Sequence, residues 1–586
     1  MQIQNYSLLS QSNIPIALYS SKQVHAMEQA WFAHGHDSFA LMQQAAWQMA
    51  QQIIQLDAQN YQDSLGSSAN CDKLYGQHHR QSRVSIWIGH GNNGGDGWLI
   101  AHYLQQAGWQ VQVMTVGLNI DIDTDAATDA LSDAMKAQQM AAAACSYRRF
   151  EDSELARNDQ NPKTSQAHCP AADIYVDALF GIGLDRAPTG IYKKAIHAFN
   201  QSAKASDALV VAVDIPSGLV ASTGQVFDQV AIQADVTLCL IARKFGLHTK
   251  DGMDYVGEVF DIPLIPYAPV VSAATLLTSA HGLSARRQNS YKGSYGHVLV
   301  IGGNQIDGSQ GMGGASILAS ASAMAIGAGK ITVACHQAFH GALLTSLSDA
   351  MTINLHDQDG VKNLIEDASV IAIAIGMGLG RDKTAKELFI SYVQAAMAHD
   401  KSIVIDADGL YHLASLQADK HELVAQLREY SNAHRVCLTP HSGEAARLLD
   451  QEINEIESDR LAAIKHGVEL YGGDWVLKGA GSLVLEQVLK QDQVYVCGVG
   501  NAGMATAGMG DVLSGVIAGL LAQQDLEDEQ RSLHQAVLIH GLAGDILVNQ
   551  PSHAADRNTQ LFIGQRGLQA QDMPAAIRHV MQLITI

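Results

Sequence analysis

The chain has 586 residues, with 58 acidic side chains against 37 basic ones and a formal charge of −21. That length exceeds one ordinary domain of about 100–200 residues, so two large domains are expected, and a 47% hydrophobic content excludes wholesale disorder. So acidic a surface argues against nucleic acid and anionic membranes as partners, and any phosphate-bearing ligand then needs local backbone N–H groups, a lysine or a metal ion.

In chain order, Val24, Met27, Trp31, Leu41, Met42, Ala45, Met49 and Ile53 recur at helical steps across residues 20–55. The polar stretch 57–82 reads as a loop or insertion. A strand is expected at Val84–Ile88, then the loop Gly89–Gly97, a helix to about Gln106 and a second strand at Val111–Val116. Residues 119–172 read as a helix plus a long irregular excursion. Strands resume at Ile174–Val176, Ala208–Val213 and Val236–Ile241. Short apolar runs alternating with helical stretches predict α/β architecture, a parallel sheet covered on both faces. Pro263–Val270 holds three prolines in eight residues, the composition of a domain boundary. The expected division is 1–265, a linker over 266–285, and 286–586. In the second half, strands are expected at His297–Ile301, Lys330–Ala334, Ser369–Ile375, Ser402–Ile405, Val436–Leu438, Asp474–Leu477 and Ser482–Leu485. Ser316–Ile326 is Ala/Ser-rich and too short to span a bilayer.

The seven cysteines are scattered without a C-x-x-C pair, so neither zinc site nor disulfide framework is expected. The N-terminal MQIQNYSLLS has no basic stretch leading into an apolar core. A cytoplasmic enzyme and homo-oligomer is expected.

The sharpest N-terminal motif is Gly89-His90-Gly91-Asn92-Asn93-Gly94-Gly95-Asp96-Gly97, between a strand and a helix. Gly89, Gly91 and Gly94 satisfy G-x-G-x-x-G, the dinucleotide turn, but no acid closes the second strand to hold a ribose. Two asparagines and an aspartate in the loop offer side-chain oxygens that a pyrophosphate turn does not need. Asp177, before Gly181 and Gly183, and Asp214, before Pro216-Ser217-Gly218, each close an apolar strand. In a parallel sheet these ends share one edge, where ligands bind. Oxygens of Asn93, Asp177, Asp214 and Ser217 could meet there around a group I or II cation.

In the second half, Gly508-Met509-Gly510-Asp511 runs into an apolar helix whose N–H groups suit an anion. A carboxylate there can take a proton from a hydroxyl during phosphoryl transfer. There is no Walker A motif. Lys478-Gly479-Ala480-Gly481-Ser482 links two strands and offers a lysine to phosphate, Thr439-Pro440-His441 ends a strand, and Asp406-Ala407-Asp408 ends another.

Residues 20–265, with GNNGGDG, VDALFGIG, VDIPSG, Lys244-Phe245-Gly246-Leu247 and Gly257-Glu258-Val259, resemble the NAD(P)H-hydrate epimerases. Residues from about Arg286 to Asp545 resemble the ADP/ATP-dependent NAD(P)H-hydrate dehydratases, carrying YKGSYGHVLVIGG, DADGL, LTPHSGE, VLKGAGS, AGMGDVLSG and HGLAGD. The first resemblance implies a Rossmann-like three-layer sandwich that interconverts R and S hydrates of NADH and NADPH with bound potassium. Asn93, Asp177 and Ser217 would hold the ion. Asn92, Asn93, Gly94, Gly95 and Asp96 would touch the substrate, with Gly181, Ile182, Gly183, Leu184, Asp185, Arg186 and Ala187. Asp214 would be the acid/base group. The second implies a ribokinase-like α/β domain that dehydrates the S hydrate at the expense of ADP, with Mg2+, giving AMP and phosphate. Asp511 would be its base. Lys478, Gly479, Ala480, Gly481, Ser482 and Gly510 would bind the nucleotide, and Ala315, Gly378 and His441, with Asp511, the hydrate. Met377 stands where that family usually has Pro, and Met509 where it usually has Thr. The alternative is a small-molecule kinase acting on a vitamin alcohol, with a non-catalytic N-terminal binding domain.

Overall fold

The structure, a computed structural model, describes residues 15–65, 81–118, 131–152, 171–266, 271–306, 310–488, 491–548 and 563–586. Its chain divides into two compact units, one from Ala17 to Ala273 and one that includes Ala274–Ile586.

In the first unit, alternation along β1 (Arg83–Ile88) sets the layering. Val84, Ile86 and Ile88 enter one apolar core with helices Ser38–Leu65, Asn92–Gln106 and Asp133–Ala142. Trp87 points the other way, into a second core under helix Gly190–Ser206, where its ring meets Phe150 and Phe199. A sheet buried on both faces this way gives three layers. Its further strands are β2 (Gln110–Thr115), β3 (Ser146–Arg149), β4 (Ile174–Ala178), β5 (Leu209–Val213), β6 (Val236–Leu240) and β7 (Glu258–Ile262). All pairings are parallel and the order is β3-β2-β1-β4-β5-β6-β7. This is Rossmann-like winding, with the order reversing between β1 and β4, which opens a crevice at the carboxyl ends.

Several sequence expectations change here. Asn92–Gly97, expected as loop, already belongs to helix Asn92–Gln106, because Gly91 at φ +88° makes the turn alone. The helix Ser38–Leu65 runs on through residues 57–65, although they are polar; residues 66–80 lie outside the described ones. In the 119–172 excursion, helix Asp133–Ala142 and β3 are ordered elements, and residues 119–130 and 153–170 lie outside the described ones. β3 and β7 are edge strands, the first exposed along its length and the second exposed at Glu258 and Asp261, which removes the unbroken apolar run that marks a buried strand.

The second unit holds β8 (Ala274–Leu277), β9 (His297–Ile301), β10 (Lys330–Cys335), β11 (Met351–Asn354), β12 (Val370–Ile375), β13 (Ser402–Ile405), β14 (Val436–Leu438), β15 (Asp474–Leu477), β16 (Leu483–Val488) and β17 (Gln491–Cys497). Their order is β8-β17-β16-β15-β14-β13-β12-β9-β10-β11. The run from β11 to β15 is parallel; β15-β16 and β16-β17 are antiparallel hairpin partners. Of these, β8, β11 and β17 were not expected, and β8 falls within the stretch read as linker. Helices Gly313–Ala325 and Met509–Ala522 cross the sheet together. Their small residues permit near contact of the backbones: a Cβ on Gly515 would stand 2.0 Å from the Ala319 carbonyl oxygen. Among the described residues no helix is long and apolar enough to cross a membrane, and the five described cysteines are buried and unpaired.

Candidate active sites

The crevice of the first unit is a pocket of about 600 Å³, a size that suits a small-molecule ligand. Its walls come from the strand ends: His90–Asn93 and Asp96 after β1, Phe180–Thr189 after β4, Asp214 after β5, and Leu240, Ile241 and Lys244 after β6. Helix Ser21–Ala33 adds Val24, His25 and Glu28.

Asp214 sits at φ +67°, in the left-handed region that non-glycine residues seldom adopt. That turn lets its Oδ1 accept the Leu240 N–H at 3.0 Å and an ion-pair hydrogen bond from Lys244 Nζ. Lys244 is wholly buried and also donates to the Leu240 carbonyl at 2.7 Å. Burial opposes its charge, but the Asp214 carboxylate holds its pKa above the ordinary lysine value. Asp96 is buried beside them, and burial first, then the charge of Asp214, pushes its carboxyl well above the usual range. Glu28 is shifted the same way for the same two reasons. The pocket thus combines a lysine-paired carboxylate with two carboxyls that burial and the Asp214 charge push upward.

A second cluster lies beneath. Asp177 is wholly buried; its oxygens accept Ser217 Oγ at 2.7 Å, Ser217 N at 2.7 Å and Leu179 N at 3.1 Å. Ser217 Oγ accepts the Phe180 N–H at 2.8 Å, and Asn93 Nδ2 donates to the Phe180 carbonyl at 2.8 Å. Asp177 and Ser217 are thus bonded directly, and Asn93 joins them through the Phe180 peptide group. Among the described residues no cationic side chain pairs with Asp177, and burial pushes its carboxyl up to about 6. One carboxylate among neutral oxygens fits a monovalent cation.

Of the other residues expected at this site, Asn92 and Gly181–Ala187 line the pocket. Gly94 and Gly95 do not. A Cβ on Gly94 would lie 2.0 Å from the Gly89 carbonyl oxygen, and one on Gly95 2.8 Å from Met42 Sδ, so Gly94 lets the helix approach the end of β1 and Gly95 lets it approach its neighbouring helices. Gly94→Ala is expected to destabilise the first unit by about 3 kcal/mol, the upper end for overpacking, seen as a lower urea midpoint.

In the second unit, Lys478 after β15 meets the charges of Asp406 after β13, Glu444 in the helix after β14 and Asp511, while Asp408 pairs with Arg381. Lys478 Nζ donates to Asp406 Oδ1 at 2.9 Å and stands 3.7 Å from Glu444 Oε2. Asp406 Oδ2 accepts Ser514 Oγ at 2.7 Å, and Asp408 accepts the Gly380 N–H at 2.9 Å and Arg381 Nε at 2.7 Å. Although burial opposes it, the Lys478 ammonium keeps Asp406 below the usual carboxylate range. For Asp511 the Lys478 charge only partly offsets burial. Burial, reinforced by the charge of Asp406, pushes it up to about 7. It stands in the first turn of helix Met509–Ala522, which Gly508 opens at φ +88°. Gly510 lets Lys478 approach: a Cβ there would be 3.1 Å from Nζ.

The loop before that helix is pinned by the HGLAGD segment. Asp545 accepts the Gly500 N–H at 2.9 Å and Asn501 Nδ2 at 3.0 Å. Ala315 and Gly378 adjoin, a Cβ on Gly378 falling 3.4 Å from that of Ala315. His441 caps helix Ser442–Leu449, its Nδ1 accepting the Gly443 N–H at 3.0 Å, and its backbone pairs with that of Lys478. Ser482 bonds back to Gly479 within its own turn. Met377 and Met509 are both buried in the apolar core. Sequence reasoning left Glu28, Lys244, Asp406, Glu444, Arg460 and Ser514 without site roles. Lys244 and Asp406 stand in quoted motifs, but only the fold shows which carboxylate each lysine meets.

A family model described as NAD(P)H-hydrate dehydratase matches residues 298–563, and one described as YjeF-related protein N-terminus matches 38–246. The chain is 33% identical to a bifunctional NAD(P)H-hydrate repair enzyme of Coxiella burnetii over 84% of this chain and 88% of that protein. Its identity to the Escherichia coli enzyme of the same description is 33%, over 85% and 84% of the two chains. Among solved structures, a ribokinase-like superfamily protein from Enterococcus faecalis is 27% identical, covering 52% of this chain and 93% of that one with a TM-score of 0.40. Identity of this extent along both halves shows that the chain belongs to the bifunctional NAD(P)H-hydrate repair enzymes.

Proposed function

We propose that the first unit epimerises the R and S forms of hydrated NADH and NADPH and that the second dehydrates the S form, consuming ADP and releasing AMP and phosphate. The observation that carries this reading is the pair of separate carboxylate centres, each matching one half-reaction.

For epimerisation, Asp214 is the acid/base group. Inverting the carbon that bears the hydroxyl requires protons to move. Lys244 holds Asp214 in place, and Asp96, whose carboxyl burial and the Asp214 charge push upward, faces the same pocket. Asn93, Asp177 and Ser217 are the residues that would hold a potassium ion, which would supply a fixed positive charge beside the substrate. The wholly buried Asp177, which pairs with no cationic side chain among the described residues, supports that choice.

For dehydration, Asp511 accepts the proton of the substrate hydroxyl as its oxygen bonds to the β-phosphorus of ADP and AMP leaves. The phosphorylated carbon then loses phosphate, a proton leaves the neighbouring carbon, and the ring double bond returns. Lys478, Gly510 and the turn to Ser482 form the nucleotide site, with Ala315, Gly378 and His441 on the hydrate side. Four carboxylates around Lys478 and Arg381 repel a nucleotide's phosphates, so Mg2+ must accompany it; this charge balance supports the magnesium requirement.

Incubation of the S hydrate with ADP and Mg2+ is expected to yield NADH, AMP and phosphate in equal amounts. Accumulation of a stable phosphorylated product would instead support a small-molecule kinase.

A further inference from the structure

Arg460 opens helix Arg460–Tyr471, which Asp459 caps by accepting the Ala462 N–H at 2.9 Å. Its side chain is buried, 3% exposed. The guanidinium ends on main-chain oxygens. Nη1 donates to Ala480 O at 2.8 Å and Gly481 O at 3.4 Å, and Nη2 donates to Leu477 O at 2.9 Å and Lys478 O at 3.2 Å.

A cation in the first turn works against the helix dipole, and a buried charge is costly unless it is fully partnered. Helix stability therefore does not explain an arginine here. What the guanidinium does is sort peptide groups. Across a trans peptide the C=O and N–H point in opposite directions. Four carbonyls turned to Arg460 leave the following N–H groups on the other side of the loop. Of those, the Lys478 N–H goes to Pro440 O and the Gly479 N–H to Ser482 Oγ; those of Gly481 and Ser482 follow the remaining two carbonyls. The loop has closed on the guanidinium as far as glycine allows, since a Cβ on Gly479 (φ +151°) would stand 2.8 Å from Nη2.

We propose that Arg460 is a positioning residue that sets the nucleotide affinity of the dehydratase, by holding the carbonyls of Leu477, Lys478, Ala480 and Gly481 away and so presenting the N–H groups of Gly481 and Ser482 to the phosphates. This rests on the reading of Lys478–Ser482 as the nucleotide loop.

The test uses the full chain, with calorimetric ADP titration and steady-state dehydration of the S hydrate at varied ADP. Arg460→Lys keeps the charge but cannot reach four carbonyls. The expected result is a rise of about tenfold or more in Kd and KM for ADP, the scale of a small misplacement in a binding loop, with kcat within about threefold and KM for the hydrate unchanged. Unchanged ADP affinity in Arg460→Lys, with Lys478→Ala weakened, would overturn the role of Arg460 and leave the loop's role standing. If neither variant moves ADP, the nucleotide loop lies elsewhere. A uniform loss of kcat and both KM values would mark a merely structural role and overturn the proposal. Should Arg460→Lys not fold, Gly479→Ala disturbs the same contact and must raise the KM for ADP alike; an unchanged value would overturn the proposal.

Discussion

Asp511→Asn is expected to slow dehydration of the S hydrate by at least about 10²–10⁴-fold, the range for a lost general base, while epimerisation of the R hydrate continues. The substitution is nearly isosteric in the first turn of helix Met509–Ala522, so the turn should persist. It removes the carboxyl that burial and Asp406 push up to about 7. A base with that pKa is largely protonated at pH 6 and largely ionised at pH 8. The wild-type dehydration rate should therefore climb through pH 7, whereas the residual rate of Asp511→Asn should not follow that limb. A pH-rate profile of the two proteins, read beside R-to-S conversion, checks both points.

Asp214→Asn is expected to do the reverse, cutting epimerisation by at least about 10²-fold and leaving dehydration of the S hydrate alone. Asparagine tolerates the left-handed backbone at this position and can still accept the Leu240 N–H. The variant also leaves the buried Lys244 without its carboxylate, and breaking a buried pair costs about 3–5 kcal/mol. A lower urea midpoint should accompany the lost activity. Lys244→Met removes the other half of the pair and should fall in activity for the same reason. Chromatographic separation of the R and S hydrates over time reads the effect directly. Persistence of epimerisation in Asp214→Asn would move the acid/base role to Asp96 or Glu28, which face the same pocket.

Much of this was legible in the sequence, for reasons that particular residues make plain. Val84–Ile88 and Val236–Ile241 are buried on both faces, so their apolar runs announce strands in a parallel sheet. The edge strands Ser146–Arg149 and Glu258–Ile262 have no such run, and only pairing reveals them. Asp177 and Asp214 could be placed on one edge because parallel strands share a direction. Gly94 and Gly95 could not be told from ligand-binding glycines, since a glycine needed for close packing and one needed for close approach to a ligand look alike in sequence. Lys244 and Asp214 lie 30 positions apart, and Lys478 and Asp406 lie 72 apart. Such pairs follow from the winding of the sheet, not from local spacing. Arg460 shows the same limit, because a buried arginine on main-chain carbonyls has no motif of its own.

On this reading one chain carries both halves of the repair. This is tested most directly by mixing the purified protein with chemically hydrated NADH, both epimers present, together with ADP, Mg2+ and K+, and following dihydronicotinamide absorbance. Because spontaneous epimerisation is a background, the time course is compared with that of Asp214→Asn under the same conditions. Complete recovery in one continuous phase, with Asp214→Asn pausing at the S fraction, is the predicted result. Recovery that pauses at the S fraction in the wild-type protein would show that the first unit does not epimerise and would contradict the account.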